Sequence, residues 1–345
     1  MACPAFQLGG VDIAPDTRAS VALPVSTLQD HTPVSLRVEV LHGKRPGPTM
    51  FVSAAVHGDE VIGVEIARRL LRTPQLEKIR GTLLVVPIVN AFGFLARSRY
   101  LPDRRDLNRC FPGSAGGSLG SRLAHIFLHD VVLRCDFGID LHSAAVHRTN
   151  LPQVRVTPGD QTTAHMARSF GAPVILKSSL RDGSLRGEAA EQGTPILLYE
   201  AGEGLRFGEF AVRAGVAGIL RVMRDQGMLA SKGIARARTP SLICNGSTWL
   251  RAPSGGLLRT FRAEGDVVEK GDVLAAVSDP SGSTETDLIA PASGILIGRA
   301  VLPVVNEGDA VFHLADISPT ADEDTVEAMT AQLETDPLFD EDEII

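Results

Sequence analysis

Val56-His57-Gly58-Asp59-Glu60-Val61-Ile62-Gly63 is the stretch on which the reading of this chain turns. It follows a continuous apolar, partly β-branched run over residues 50–56, the pattern of a strand buried on both faces. Beyond it, Val61, Val64, Ala67, Leu70 and Leu71 recur at helical spacing, with Arg68, Arg69 and Arg72 opposite. The octapeptide therefore reads as a strand-to-helix corner. Gly58 lets the backbone turn tightly, Asp59 is expected to cap the helix, and Glu60 to fall in its first turn. His57 and Glu60 then offer an imidazole and a carboxylate from one corner. Those are two of the three protein ligands of a catalytic zinc site, which keeps its fourth position open. With nine His in the chain, the plainer alternative is a capping acid beside an incidental histidine.

Candidates downstream add weight to the metal reading. Asp140-Leu141-His142 closes another apolar run, and period-two alternation sends Asp140 and His142 to the same side. His142 can supply a third ligand, and Asp140 can orient a ligating imidazole by accepting its other N–H. Glu200 ends the run Ile196-Leu197-Leu198-Tyr199 and suits a general base. Arg97, Arg99, Arg104, Arg105 and Arg109 fall within thirteen positions. Their forked, permanently charged guanidinium groups imply an anionic substrate or a developing oxyanion. Nucleic acid is the rival partner, but few aromatics interleave with these arginines and the body of the chain is only mildly basic. Arg148 and Asn150 follow the His142 strand end at once and are read as substrate-selecting groups at the mouth of the site.

The 345 residues exceed one ordinary core, so two domains are expected. With 44% hydrophobic and 22% charged residues the balance is that of a soluble globular protein. Four scattered Cys with no C-x-x-C pair suggest neither a disulfide framework nor a thiolate metal site. The first ten residues lack a signal-peptide pattern, and the longest apolar stretch, residues 83–96, is broken by Pro87 and Asn90. A cytoplasmic protein that does not engage a membrane is expected; a homo-oligomer is left open. The formal charge of −7 is carried by residues 317–345, which hold ten acids and no Lys or Arg; without them the balance becomes +3. Such an acidic tail is expected to be solvated.

Strands are expected over residues 35–41, 50–56, 82–89, 137–141, 154–157, 173–176 and 195–199. Helices are expected over 60–71, 119–133, 161–170, 185–191 and 208–226. Strands alternating with helices predict an α/β domain with a mainly parallel mixed sheet flanked by helices, over residues 1–238. Residues 239–316 are Gly-rich, Val-rich and self-similar. Ala252-Pro253-Ser254-Gly255-Gly256-Leu257-Leu258 returns as Ala290-Pro291-Ala292-Ser293-Gly294-Ile295-Leu296, and Glu264-Gly265-Asp266-Val267 as Glu307-Gly308-Asp309-Ala310. The repeat predicts a smaller all-β C-terminal domain and resembles the barrel-sandwich of biotinyl and lipoyl carriers. The hairpin that would carry their modified lysine, residues 278–286, contains no Lys. A structural or site-capping module is the better reading.

Taken together, His57-Gly58-Asp59-Glu60, then Arg99-Tyr100, then Asp106-Leu107-Asn108-Arg109-Cys110-Phe111-Pro112-Gly113, then Asp140-Leu141-His142 and Tyr199-Glu200 resemble a known set. It is that of the succinylglutamate desuccinylase/aspartoacylase family of the zinc carboxypeptidase clan. The resemblance covers most of residues 45–315. It implies a zinc-carboxypeptidase-like fold with a C-terminal β domain near the site, and one Zn2+ per chain bound by His57, Glu60 and His142. It further implies Glu200 as general base, Arg99 polarising the scissile carbonyl, and Asn108 with Arg109 holding a substrate carboxylate. The expected reaction is amide hydrolysis of a small anionic N-acyl amino acid. A metallocarboxypeptidase acting on short peptides and a non-catalytic binding module on the same fold are the alternatives.

Overall fold

The computed structural model describes residues 3–237 and 239–317. After a small hairpin, β1 (Phe6–Leu8) and β2 (Val11–Ile13), come β3 (Thr17–Thr27), β4 (Pro33–His42), β5 (Arg45–Ala54) and β6 (Arg80–Val86). They are followed by β7 (Phe137–His142), β8 (Arg148–Val156), β9 (Val174–Lys177) and β10 (Ile196–Glu203). The helices between and after them are α1 (Ile62–Leu71), α2 (Ala91–Ala96), α3 (Leu119–Ile126), α4 (Gln161–Phe170), α5 (Leu185–Glu191) and α6 (Glu209–Asp225). The centre of the sheet is the parallel set β6-β5-β7-β10. Antiparallel β4 and β3 extend one side and antiparallel β8 the other.

Alternation along β5 explains why its sequence is apolar throughout. Met50, Val52 and Ala54 pack on one face with α1, α4 and α6, whereas Phe51 packs on the other with α3. Each face has its own core, as a sheet covered on both sides requires. Burial of the α1 stripe against this sheet, rather than a side-chain cap, holds that helix. It begins at Ile62, with Val61 at the N-cap position and no side-chain cap hydrogen bond. Asp59 is therefore not the cap expected from sequence, and Glu60 lies just ahead of the helix.

The C-terminal part is all-β and antiparallel, with one exception. Its strands are β11 (Leu242–Cys244), β12 (Ser247–Arg251), β13 (Gly256–Thr260), β14 (Val267–Val268) and β15 (Val273–Ser278). They continue with β16 (Glu285–Ile289), β17 (Gly294–Ala300), β18 (Val304–Val305) and β19 (Ala310–Ala315). The exception is β11, which lies parallel to β9. One four-stranded sheet, β16-β15-β13-β18, stands apart. The other strands do not. β17 pairs with β8 and carries β19 and β12 beyond it, so the main sheet runs without a break into the C-terminal region. The change of texture near residue 238 marks a change of element type, and the sheet crosses it. The acidic segment expected over residues 317–345 lies, Ile317 apart, outside the described residues. Among the described residues no helix is long and apolar enough to cross a membrane.

The seam between β8 and β17 is tight because one of its residues has no side chain. A Cβ built on Gly298 would sit 2.6 Å from Asn150 Oδ1 and 3.0 Å from the Thr149 carbonyl oxygen. Beside it, Arg299 Nε donates to Glu264 Oε2 at 2.6 Å, and Thr149 Oγ1 donates to Glu264 Oε1 at 3.2 Å. Gly298→Val should force the strands apart and cost about 1–3 kcal/mol, read as a lower urea midpoint. An unchanged midpoint would mean that the seam is looser than drawn.

Candidate active site

Three neighbouring parallel strands deliver the site to one end of the sheet, where open α/β sheets place their ligands. The β5–β7 register pairs Ala54 with Leu141, and the β7–β10 register pairs His142 with Glu200. His57 lies three residues past the end of β5. Its loop is pinned by hydrogen bonds from Val89 N to Ala54 O and from Asn90 N to Ala55 O, both 2.9 Å. Gly58 is required there. A Cβ on it would lie 1.9 Å from the Gly93 carbonyl carbon, inside the backbone of α2. The glycine read as a turn residue is thus also a point of backbone contact.

His57, Glu60 and His142 converge with one ligand atom from each inside 4.8 Å, and all three are buried. His57 Nδ1 is 2.7 Å from Glu60 Oε1, and His142 Nδ1 is 2.8 Å from Glu60 Oε2. The far nitrogens face carboxylates as well: His57 Nε2 lies 3.1 Å from Asp106 Oδ1, and His142 Nε2 lies 2.7 Å from Asp140 Oδ2. Asp140 is held in turn by the Ser53 hydroxyl, which donates at 2.7 Å. An imidazole that donates its Nε2–H outward presents the Nδ1 lone pair inward. Two such lone pairs and a carboxylate in so small a space form a donor set that a divalent cation fits, and two His with one Glu is a catalytic zinc combination.

Burial alone would raise the Glu60 carboxyl, but the two histidines beside it hold it well below the usual carboxylate range. Burial would likewise depress both imidazoles. Attraction to Glu60, with hydrogen bonds to Asp106 and Glu60, outweighs it at His57, and Asp140 with Glu60 outweighs it at His142, so both are raised. The cluster gathers positive charge about a buried carboxylate. Arg99 adds to it, donating from Nη1 to Glu60 Oε1 at 3.1 Å and from Nη2 to Asp106 Oδ2 at 3.0 Å.

Glu200 faces the same cavity, of about 530 Å³. Its carboxylate is held from β8: Asn150 Nδ2 donates to Oε2 at 3.1 Å, and Arg155 Nη2 pairs with Oε1 at 3.3 Å. Strand pairing explains the grip, because Asn150 and Arg155 sit opposite Gly202 and Leu198, two places either side of Glu200. Asn150, read from sequence as a substrate selector, is thus brought onto Glu200. Arg148 lies with its guanidinium over the Trp249 ring, 5.1 Å from the centroid. Asn108 Oδ1 accepts from Leu185 N at 2.9 Å and so ties down the start of α5. Arg109 is exposed at the rim and donates to the Asn108 carbonyl oxygen. Of the five clustered arginines only Arg99 and Arg109 line the cavity; Arg105, for one, turns away to Ser118 Oγ.

Several lining or supporting residues were not singled out from sequence: Asp106, Arg155, Arg186, Ser247, Trp249 and His313. Asp106 lies inside a quoted motif. The last three come from the C-terminal region, which the β8–β17 and β9–β11 pairings bring to the site. The Trp249 and His313 rings stack at 4.4 Å and 9°. Burial, reinforced by Arg155, pushes the His313 pKa down to about 3, so its ring is neutral. The unfolded chain takes up this proton near the ordinary histidine value of about 6.5. Folding stability is therefore lost as pH falls from there toward 3. In urea titrations between pH 7 and pH 4, the wild type should lose more stability than His313→Gln; equal losses would contradict the buried neutral ring.

Residues 46–225 match the succinylglutamate desuccinylase/aspartoacylase catalytic domain. An N-alpha-acetyl-L-2,4-diaminobutyric acid deacetylase of Halomonas elongata is 31% identical over 166 residues, a match spanning 46% of this chain and about half, 48%, of that protein. The crystal structure of a succinylglutamate desuccinylase from Silicibacter sp. TM1040 superposes with a TM-score of 0.79 at 24% identity, over 92% of this chain and 98% of that one. The product-bound ectoine utilization protein EutE of Ruegeria pomeroyi gives 0.79 at 25% identity, over 91% and 98%. The fold, the order of the motifs and a catalytic-domain match over more than half of its length make this chain a member of the succinylglutamate desuccinylase/aspartoacylase family.

Proposed function

We propose that the chain hydrolyses the amide bond of a small N-acyl amino acid, with one zinc ion per chain held by His57, Glu60 and His142. The observation that carries this reading is the convergence of those three donors within 4.8 Å at one end of a cavity that Glu200 also lines. The deacetylase named above, 31% identical over the matched stretch, supports amide hydrolysis. N-acetyl amino acids are therefore the first substrates to try.

Zinc bound there would supply Lewis acidity toward a water and a carbonyl oxygen. Glu200 takes the proton of the attacking water and passes it to the leaving nitrogen, so one carboxylate serves as base and then acid. Asn150 and Arg155 fix where its oxygens point, and a proton relay depends on that. Arg99 has its Nη groups on Glu60 and Asp106, beside the ligand cluster, and from there it stabilises the charge that grows on the carbonyl oxygen. Asn108 and Arg109 hold the substrate carboxylate at the rim, and Arg148, stacked on Trp249, bounds the mouth. Asp140 and Asp106 keep the two ligand imidazoles in the tautomer that ligation needs.

A hydrolysis screen of the zinc-loaded protein should find turnover of N-acetyl or N-succinyl amino acids. Turnover confined to short peptides would favour a carboxypeptidase, and none at all, with zinc bound, a binding module. Glu200→Gln should keep its zinc and lose about 100-fold or more in kcat; full activity would remove Glu200 from the mechanism. Asp140→Asn should weaken zinc binding by about 10–100-fold in chelator competition. Unchanged affinity would show that Asp140 does not support His142 as a ligand.

A further inference from the structure

We propose that His125 and His129 form a second, shallow metal site for a late divalent transition metal, Cu2+ before Ni2+, outside the cavity of the candidate zinc centre.

The two residues lie one turn apart where α3 passes into a single π-type turn, Phe127–Val131. In a regular α-helix residue i+4 has rotated past residue i, because a turn takes about 3.6 residues. A π turn closes with more residues, so each rotates less and His129 comes back above His125. Such turns are rare and frequently mark functional positions. The imidazoles meet with ring centroids 4.3 Å apart and planes tilted by 56°. The face they share is not the packed one. Leu123, Phe127, Leu128 and Val131 of the same segment are buried in the core, whereas His125 is half-buried and His129 exposed.

Ring geometry points to a shared ion. An unprotonated imidazole nitrogen carries its lone pair in the ring plane, and two tilted planes intersect where parallel ones would not. One cation can therefore lie in both. The nitrogens are also available: among the described residues neither imidazole takes part in a hydrogen bond or ion pair, and their ring contact is with each other. By contrast, His42, His57, His142, His165 and His313 each have a ring nitrogen on an oxygen. Two His at i and i+4 are the arrangement by which a helix presents two imidazoles to one metal. Between them here stand Ile126, Phe127 and Leu128, with no acid or base, so the site binds an ion without a partner for hydrolysis.

The donor set selects the ion. Two neutral nitrogens with water in the remaining positions suit Cu2+ and Ni2+, and Cu2+ leads the affinity order for such ligands. Zinc is better served by the buried cluster of two imidazoles and a carboxylate, so a single equivalent of zinc leaves this pair empty. Neither His125 nor His129 lines that cavity.

The probe is Cu2+–iminodiacetate, titrated into the zinc-loaded protein. The chelator occupies three copper positions and leaves room for two imidazoles. Electron paramagnetic resonance should show two imidazole nitrogens on one copper per chain. His125→Gln and His129→Gln, both on the unpacked face, should each lower the calorimetric affinity about tenfold or more, because the second imidazole binds intramolecularly. Should a variant not fold, the unmodified protein serves: copper should broaden the His125 and His129 imidazole signals together, ahead of every other histidine. A single nitrogen on copper, undiminished affinity in either variant, or earlier broadening of another histidine would overturn the proposal. No readout is turnover, so a failure of the hydrolase reading leaves this site standing.

Discussion

A carboxylate buried between two imidazoles organises this molecule. Glu60 is 2% exposed, and a charge so far from water persists only where its surroundings compensate it. His57 and His142 do so directly, Arg99 from one side and the Ser143 N–H from another, at 3.1 Å. Each histidine is itself held by an aspartate. The cost of gathering these groups falls on the sheet, whose parallel centre brings the strand ends of β5 and β7 together and is clamped by two apolar cores. Removing one partner from such a network leaves a buried charge uncompensated, which is far more damaging than the loss of an exposed pair.

Strand β8 links that centre to the C-terminal region. One edge of it pairs with β10 and grips Glu200 through Asn150 and Arg155; the other pairs with β17. The seam with β17 therefore bears on both the orientation of Glu200 and the far wall of the cavity. This gives the repeat-built β region a physical role. Its Trp249 and His313 close the cavity, and the hairpin where carrier domains bear a lysine is here Asp279 to Thr284, tied up by its own hydrogen bonds.

Much of this was legible in the chain. The apolar runs of β5, β7 and β10, each ending in or near a His or Glu, marked the parallel centre and the His57-Glu60-His142 cluster that could hold a metal, because strands buried on both faces have a conspicuous sequence. The span of α5 was read to the residue. Other features were hidden for physical reasons. β3 alternates cleanly, with Val21, Leu23 and Val25 buried, but Pro24 argues against a strand in sequence, and it is tolerated because β3 lies at the sheet edge. Asp59 has the composition of a cap, yet the helix starts two residues after Glu60 because packing sets its end. The roles of Asn150, Arg155 and His313 depend on which strands pair between distant stretches of chain, Asn150 and Glu200 being 50 residues apart, and no local pattern reports that.

The most direct measurement is anomalous diffraction at the zinc edge from crystals of the zinc-loaded protein. The account predicts one peak per chain, within coordinating distance of His57 Nδ1, His142 Nδ1 and a Glu60 oxygen, with Asp106 and Asp140 still on the far imidazole nitrogens. A peak elsewhere, or none while His57, Glu60 and His142 remain bonded to one another, would contradict it.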